Sequence, residues 1–121
     1  MKYLVDSNII IYHLNGESTA SNFLKQNHNN IAISIVTYLE VLSFDFDEDT
    51  QQDIEKLLES FAIINFTINI AKQAVKNRKI SKIKVPDNII ASTAQIHNLI
   101  LVTRNVKDFK ALNVEILNIF D

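Results

Sequence analysis

Short apolar runs alternate along the whole chain with longer segments that carry helix signals. The runs begin near residues 2, 31, 62, 99 and 114, and helix start signals such as Ser34, Thr67 and Pro86 stand between them. Strands that alternate with helices are typical of βαβ units, in which the strands lie parallel and helices cover both faces. The chain is therefore predicted to form a three-layer α/β/α sandwich around a central, mostly parallel sheet.

The element bounds follow from the same signals. Ser34 and Thr67 are expected to cap helices, and Asn15–Gly16 is expected to stop the first one. The predicted strands are 2–5, 31–34, 62–66, 99–103 and 114–119. The predicted helices are 9–14, from a cap at Ser18 or Thr19 to about 26, 35–44, one that ends near 60, 68–79, 86–98 and 105–112.

Composition narrows the class of protein. The 121 residues, 47% of them hydrophobic, suit one domain spanning 1–121, and a single Gly and a single Pro argue against long linkers. The absence of cysteine excludes disulfides and thiolate metal sites and fits the cytoplasm. Neither a transmembrane run nor a signal peptide is predicted. A formal charge of −2 provides no bulk attraction for nucleic acid, so any such binding needs a local patch or a bound metal ion.

Polar residues follow the first and fourth predicted strands. Asp6 comes directly after the first, and Thr103, Arg104 and Asn105 come after the fourth. Because sites in such sheets form beyond the carboxyl ends of the strands, both groups are expected at one edge. Asp6 could equally be the N-cap of the first helix, and so could Asn8.

Three further acids could join Asp6. Glu40 lies in an apolar helix, at the edge of a stripe predicted to be buried, namely Ile35, Leu39 and Leu42. It therefore points either to solvent or to a partner or metal. Asp87 and Asp108 could each be ordinary helix carboxylates or members of the site. Clustered carboxylates would repel one another unless Mg²⁺ or Mn²⁺, which prefer oxygen ligands, lay between them, and such a cluster suits phosphodiester chemistry.

Four pieces of the sequence resemble the PIN-domain family, most closely the VapC-type toxin ribonucleases of toxin–antitoxin pairs. They are "YLVDSNIII", "SIVTYLEVL", "VPDNIIASTAQIHNLILVTRNVKDF" and the closing strand, in this order and over essentially the whole chain. The resemblance implies a PIN-like fold, RNA as the substrate, hydrolysis by metal-activated water, a homodimer, and an antitoxin that covers the active-site groove.

The same resemblance implies roles for individual residues. Asp6 and Asp87 would be the main ligands of Mg²⁺ (or Mn²⁺), and Glu40 would complete the metal shell or position water. The fourth catalytic and metal-binding acid would be Asp108, although some members carry it at the position of Asn105. Hydrogen bonds from four neighbours would support the site: Ser7, Asn8, Thr103 and Asn105.

Positive charge is concentrated in "KQAVKNRKISKIK", residues 72–84, which leads directly to Asp87. A phosphate backbone that approaches an acidic metal site needs a positive track beside it. The candidates for RNA contact are Lys79, Lys82, Lys84 and Arg104, with Lys107 as a possible addition. The alternative is a solvated helix face and loop.

Two other functions compete with the ribonuclease. A non-catalytic PIN-like module that binds RNA or protein would fit an incomplete set of acids. A phosphatase or phospho-receiver on a similar sheet is disfavoured, since Asn8 stands where a haloacid-dehalogenase-type enzyme would need its second Asp.

Overall fold

A computed structural model describes residues 1–120. Five strands form the sheet: β1 (Tyr3–Val5), β2 (Ile31–Ser34), β3 (Ala62–Ile64), β4 (Ile100–Val102) and β5 (Ile116–Leu117). In the described part of the chain, seven α-helices surround the sheet: α1 (Ser7–Leu14), α2 (Ser18–Gln26), α3 (Ile35–Leu42), α4 (Glu48–Glu59), α5 (Ile68–Ile80), α6 (Val85–His97) and α7 (Val106–Phe109). A 3₁₀ turn, His28–Asn30, precedes β2.

The sheet has the order β3-β2-β1-β4-β5, and every pairing is parallel. The predicted α/β fold is therefore confirmed, with a sheet that is parallel throughout. β1 and β4 are aligned so that Val5 faces Val102. The chain adds β2 and β3 on one side of β1 and β4 and β5 on the other, so the strand order reverses between β1 and β4. Such a reversal opens a crevice at the carboxyl ends of the strands.

Two apolar layers flank the sheet. On one face, Val5 and Val102 pack with residues of α1, α2 and α4, among them Ile9 and Leu58. On the other face, Leu4 and Leu101 pack with residues of α6 and α7 that include Ile90 and Phe109. α5 lies outside α6 and packs against it. None of the helices within residues 1–120 is both long and apolar enough to cross a membrane.

Side-chain caps fix where several helices begin. Ser34 accepts a hydrogen bond from the Val36 amide, and Thr67 accepts one from the Ile70 amide, as predicted. The predicted cap of α2 is wrong: Glu17, rather than Ser18 or Thr19, accepts from the Thr19 amide. α1 ends at Leu14, directly before Asn15 and Gly16, as predicted, and Gly16 adopts a left-handed conformation, at φ +84°, that suits glycine.

The predicted strands are longer than β1, β3, β4 and β5, whereas the bounds of β2 are correct. The predicted helix bounds differ by two or more residues at an end of α1, α3 and α7, and by one residue at α5 and α6. Strand length is set by the available neighbours: β5 pairs with β4 over two residues, so the rest of the apolar run has no partner strand. The predicted stripe of α3 is also wrong. Its fully buried residues are Thr37 and Val41, whereas Leu39 is 66% exposed. Apolar residues occupy most of this helix, so periodicity alone did not identify the buried face.

Candidate active site

Asp6 lies at the junction of β1 and α1 and is almost completely buried, with 5% of its surface exposed. Its backbone amide donates to the Val102 carbonyl, so the chain still follows the edge of β4 at this point. Its Oδ1 accepts from the Ser7 amide at 2.8 Å, and its Oδ2 accepts from the Thr103 hydroxyl at 2.8 Å. Asp6 is thus the N-cap of α1 and also contacts the end of β4, 97 positions away in the sequence.

The pKa of Asp6 is raised from 3.8 to about 6, mainly because burial disfavours the charged form. The hydrogen bonds from Thr103 and Ser7 lower the pKa, and the charges of Asp87 and Glu40 raise it. Two other acids therefore lie close enough to act on this buried carboxyl group, which carries unfavourable negative charge at neutral pH.

Glu40 points toward Asp6 through Ser7. The Ser7 hydroxyl donates to Glu40 Oε1 at 2.6 Å and lies 3.4 Å from the hydroxyl of Thr37. Thr37 is buried and lies three residues before Glu40 in α3, so the two side chains share a helix face. The face of α3 that contains Thr37 and Glu40 packs toward the sheet, whereas Leu39 is exposed. Glu40 therefore lies at the edge of the site.

Asp87 lies in the first turn of α6, directly after Pro86. Burial raises its pKa most, the charges of Glu40 and Asp108 raise it further, and the ammonium group of Lys84 lowers it. Within residues 1–120, the Asp87 carboxylate accepts no hydrogen bond, so both of its oxygens are available to a ligand. The electrostatic influences connect Asp87 to Glu40 on one side and to Asp108 on the other.

Asp108 and Asn105 lie together at the start of α7. The Asn105 side-chain amide donates to Asp108 Oδ2 at 2.6 Å, and its backbone amide donates to the Thr103 hydroxyl at 3.0 Å. Asp108 also lines the same cavity as Asp87. The two candidates for the fourth site position are therefore hydrogen-bonded neighbours.

Asn8 connects the two strand ends. Its Nδ2 lies 3.3 Å from Asp6 Oδ2 and 3.2 Å from the Thr103 hydroxyl, and its Oδ1 accepts from the Arg104 amide at 3.4 Å. The Thr103 hydroxyl donates its proton to Asp6 and accepts from the amides of Asn8 and Asn105. Asn8 and Thr103, which are themselves held by the amides of Arg104 and Asn105, thus keep the Asp6 carboxylate in one orientation.

The donor chemistry of this cluster is entirely oxygen, which suits Mg²⁺ or Mn²⁺ rather than softer metals. No three His, Asp or Glu side chains in residues 1–120 are grouped closely enough to hold one ion among them. Mg²⁺ sites commonly use one or two carboxylates with water and substrate oxygens completing the shell. The residues present therefore fit a site of that kind, in which the carboxylates of Asp6 and Asp87 would be the pair that holds the ion.

Comparison with known proteins identifies the family. A sequence model described as the PIN domain matches residues 3–115. The chain belongs to the PIN-domain family. It is 32% identical to Ribonuclease VapC10 of Mycobacterium tuberculosis, over 88% of this chain and 84% of that protein.

Solved structures show the same fold. A toxin–antitoxin complex from Klebsiella pneumoniae contains a chain that is 35% identical, with a TM-score of 0.89 over 99% of both chains. VapBC2 from Rickettsia felis, bound to a DNA fragment from its promoter, contains one that is 28% identical, with a TM-score of 0.84 over 98% of both.

Lysines of this PIN domain gather beside the acids on the α6 side. Lys82, Lys84 and Lys107 line a cavity of about 290 Å³ together with Asp87 and Asp108. Lys79, in the last turn of α5, is exposed and does not line that cavity. Of the lysines proposed for RNA contact, Lys82, Lys84 and the added Lys107 therefore line the cavity beside the acids, and Lys79 does not.

Arg104 lies on the other side of the acids. It is exposed, and its guanidinium carbon is 5.2 Å from the ring centre of Tyr12 and 4.5 Å from that of Phe120. Sequence reasoning did not assign Thr37 or Phe120 to the site of this PIN domain. For Thr37, the spacing of three residues from Glu40 was the available signal. For Phe120 the sequence offered no signal, because its contact with Arg104 depends on how β5 packs.

Proposed function

We propose that this PIN domain is an endoribonuclease that hydrolyses RNA with the help of Mg²⁺ or Mn²⁺, and that it is the toxin of a toxin–antitoxin pair. The observation that carries the proposal is the set of four acids, Asp6, Glu40, Asp87 and Asp108, whose charges or contacts connect them at one edge of the sheet. Likeness to a relative named as a ribonuclease, and to chains in toxin–antitoxin complexes, supports the choice of reaction.

The proposed mechanism divides the work among the acids. Asp6 and Asp87 would hold the ion, and Asp108 would extend the site toward the lysines. The chemistry supplied by a bound ion would be Lewis acidity, which would polarise a phosphate oxygen, lower the pKa of a water and offset charge on the leaving oxygen. Glu40 would orient the attacking water through its Oε2, because its Oε1 already accepts the Ser7 hydroxyl. Ser7 would thereby keep Glu40 turned toward the phosphate.

The surrounding residues would control the substrate. Asn8, Thr103 and Asn105 would keep the carboxylates in fixed positions, so that little reorganisation accompanies the reaction. Lys82 and Lys84 would bind RNA phosphates beside Asp87. Lys79 and Arg104 would contact the RNA strand farther from Asp87. Activity on cellular RNA would place the protein in the cytoplasm.

The test is cleavage of a mixed pool of structured RNA by the purified chain, freed of any co-purified protein. Mg²⁺, Mn²⁺ and EDTA would be compared, beside Asp6→Asn and a matched control, Asp45→Asn, which neutralises an exposed acid in the loop after α3. We expect cuts that need the metal, persist in the control and disappear in Asp6→Asn. Full activity of Asp6→Asn would refute the assignment.

A second candidate function is a PIN module that binds RNA or protein without cutting it. The observation in its favour is the absence of a three-ligand metal group within residues 1–120. Titration calorimetry with Mg²⁺ and Mn²⁺, run beside the cleavage assay, separates the two. Binding of RNA without turnover under either metal would favour the module.

The proposed partners are an antitoxin protein and a second copy of the chain. Chains similar to this one occur in complexes described as toxin–antitoxin or VapBC. The antitoxin is expected to cover the groove at the acidic site, and an apolar groove between α1 and α4, lined by Leu14, Phe46 and Leu57 among others, would extend that contact. The face of α3 around the exposed Leu39, which lines a shallow apolar groove with Ile35 and the half-buried Leu42, is the proposed homodimer surface. Light scattering of Leu39→Lys, expected to be monomeric, tests the second assignment.

A further inference from the structure

Cationic groups flank the acidic site on opposite faces of the sheet. The lysine cavity lies on the α6 side, where its lining residue Ile83 belongs to the same apolar cluster as Ile90. Arg104 lies on the α1 side, because both rings that it contacts pack on the cluster containing Ile9. The acids stand between these two positive regions, at the carboxyl ends of β1 and β4.

The two rings form an aromatic shelf, by which we mean Tyr12 and Phe120 together. Their centres are 5.1 Å apart and their planes meet at 58°, so the guanidinium of Arg104 lies near both rings at once. Tyr12 belongs to α1, and Phe120 follows β5, where its amide donates to Asn118 Oδ1 at 3.1 Å. α1 and the segment after β5 therefore each contribute one ring that contacts the Arg104 side chain.

Arg104 is also connected to the acidic site through its backbone. Its amide donates to Asn8 Oδ1, and Asn8 Nδ2 lies within hydrogen-bond distance of Asp6 Oδ2. Within residues 1–120, no carboxylate forms an ion pair with the guanidinium. Contact of a guanidinium with aromatic faces leaves its in-plane N–H donors available, and these donors match phosphate oxygens in a bidentate arrangement.

We propose that Tyr12 and Phe120 are positioning residues, which hold Arg104 ready to bind one RNA phosphate on the α1 side of the acidic site. The lysine cavity then binds the strand on the α6 side, so the RNA backbone crosses the edge of the sheet between the two. This inference rests on the proposed function. It adds a path for the RNA backbone across the sheet edge and a role for Phe120, which follows β5. The shelf increases affinity by restricting the flexible Arg104 side chain before RNA arrives.

The test measures RNA binding by fluorescence anisotropy, with a fluorescein-labelled single-stranded RNA of random sequence. The full chain carrying Asp6→Asn is used as the background for every variant, because it is expected not to cleave, so that RNA binding is measured alone. Arg104→Gln is expected to weaken binding about tenfold. It should also reduce the slope of log affinity against log salt by about 0.7, the value for one phosphate contact on a single strand. Lys25→Gln, which removes an exposed positive charge in the last turn of α2, is the matched control and should change neither quantity.

The shelf is tested by a double-mutant cycle. Phe120→Leu and Tyr12→Leu keep apolar bulk but remove the aromatic face, and each should weaken binding about two- to fivefold. Combining Phe120→Leu with Arg104→Gln should be no worse than Arg104→Gln alone, because the ring acts through the arginine. Arg104→Lys should recover the salt slope and only part of the affinity, since Lys lacks the planar donor set.

Several outcomes would overturn the inference. An unchanged salt slope in Arg104→Gln would mean that the arginine makes no phosphate contact. Additive effects of Phe120→Leu and Arg104→Gln would mean that the ring touches RNA by itself. Lower melting temperatures with unchanged affinity would mean that the shelf only anchors residues 118–120. These outcomes leave the proposed nuclease intact if the cleavage assay succeeds, whereas absence of both RNA binding and cleavage by the unsubstituted chain overturns both proposals.

Discussion

Replacing Asp6 with Asn should stabilise the fold while it abolishes the proposed activity. Burial raises the pKa of Asp6 from 3.8 to about 6, so the ionised form is disfavoured in the folded chain. At ~1.4 kcal/mol for each pKa unit, ionised Asp6 lowers the free energy of unfolding by about 3 kcal/mol at neutral pH. Asn removes this charge and has nearly the same shape.

The gain in stability is reduced, because Asn cannot accept every hydrogen bond that Asp6 accepts. Asp6 accepts from the Ser7 amide with one oxygen and from the Thr103 hydroxyl with the other. An Asn side chain has one acceptor oxygen. Its NH₂ group would face the Ser7 amide in one orientation and both Thr103 and Asn8 in the other, so at least one hydrogen bond is lost, at a cost of about 1 kcal/mol. Asp6→Asn is therefore expected to be more stable than the parent chain by about 1–2 kcal/mol at about pH 7 when a chelator keeps metal away.

The difference should depend on pH with a defined sign. The folded chain holds the Asp6 proton more tightly than the unfolded chain, so acid favours the folded state at this site. That contribution is complete below the unfolded pKa of 3.8 and is lost as pH rises to about 6. The advantage of Asp6→Asn should appear over this window and be absent below it.

Urea unfolding followed by circular dichroism, at several pH values from about 4 to about 7, measures this difference. Asp45→Asn is the control for loss of one exposed negative charge. A variant less stable than the parent at neutral pH, or an advantage that does not change with pH, would refute the account of Asp6 as a buried, strained carboxylate. Adding Mg²⁺ should stabilise the parent chain and not the variant, because only the parent keeps both proposed ligands.

Three further outcomes are expected. Asp87→Asn should lose Mg²⁺ binding in calorimetry and cleavage in the RNA assay, with a smaller gain in stability because Asp87 is less buried than Asp6; unchanged Mg²⁺ affinity would contradict its role. Ser7→Ala removes the hydroxyl that holds Glu40 and should lower kcat about tenfold with little change in KM, whereas an unaltered kcat in steady-state kinetics would show that Glu40 needs no such contact. Leu58→Ala, at a fully buried position of α4, should cost about 2–5 kcal/mol in urea unfolding and leave cleavage intact at temperatures where the chain is folded; a loss below about 1 kcal/mol would mean that this core layer is loosely packed.

The order of strands and helices was readable from the sequence because it depends on local signals. Caps such as Ser34 and Thr67 satisfy amides two or three residues ahead, so the necessary information lies within one turn. The proline at the start of α6 acts over a similar distance. These signals also indicated that the sheet is parallel, and hence that polar residues after its strands share one edge.

Residues that serve two purposes left choices open at the site. Asp6 was either a cap or a site member by sequence, and the structure shows that one carboxylate oxygen caps α1 while the other accepts from Thr103. Glu40 could have faced solvent, and the buried stripe predicted around it included Leu39, which is exposed. When apolar residues occupy most of a helix, the sequence does not show which face is buried, because packing against the sheet decides it.

The sequence by itself determined the mostly parallel α/β architecture and the position of Asp6 at the end of the first strand. Only the tertiary structure decided that β1 lies beside β4, which joins Asp6 to Thr103, and that Tyr12 and Phe120 meet at Arg104. Periodicity and capping act over a few residues, whereas the order of strands in a sheet follows from packing all helices over both faces at once. Contacts between residues almost a hundred positions apart arise only from that collective packing.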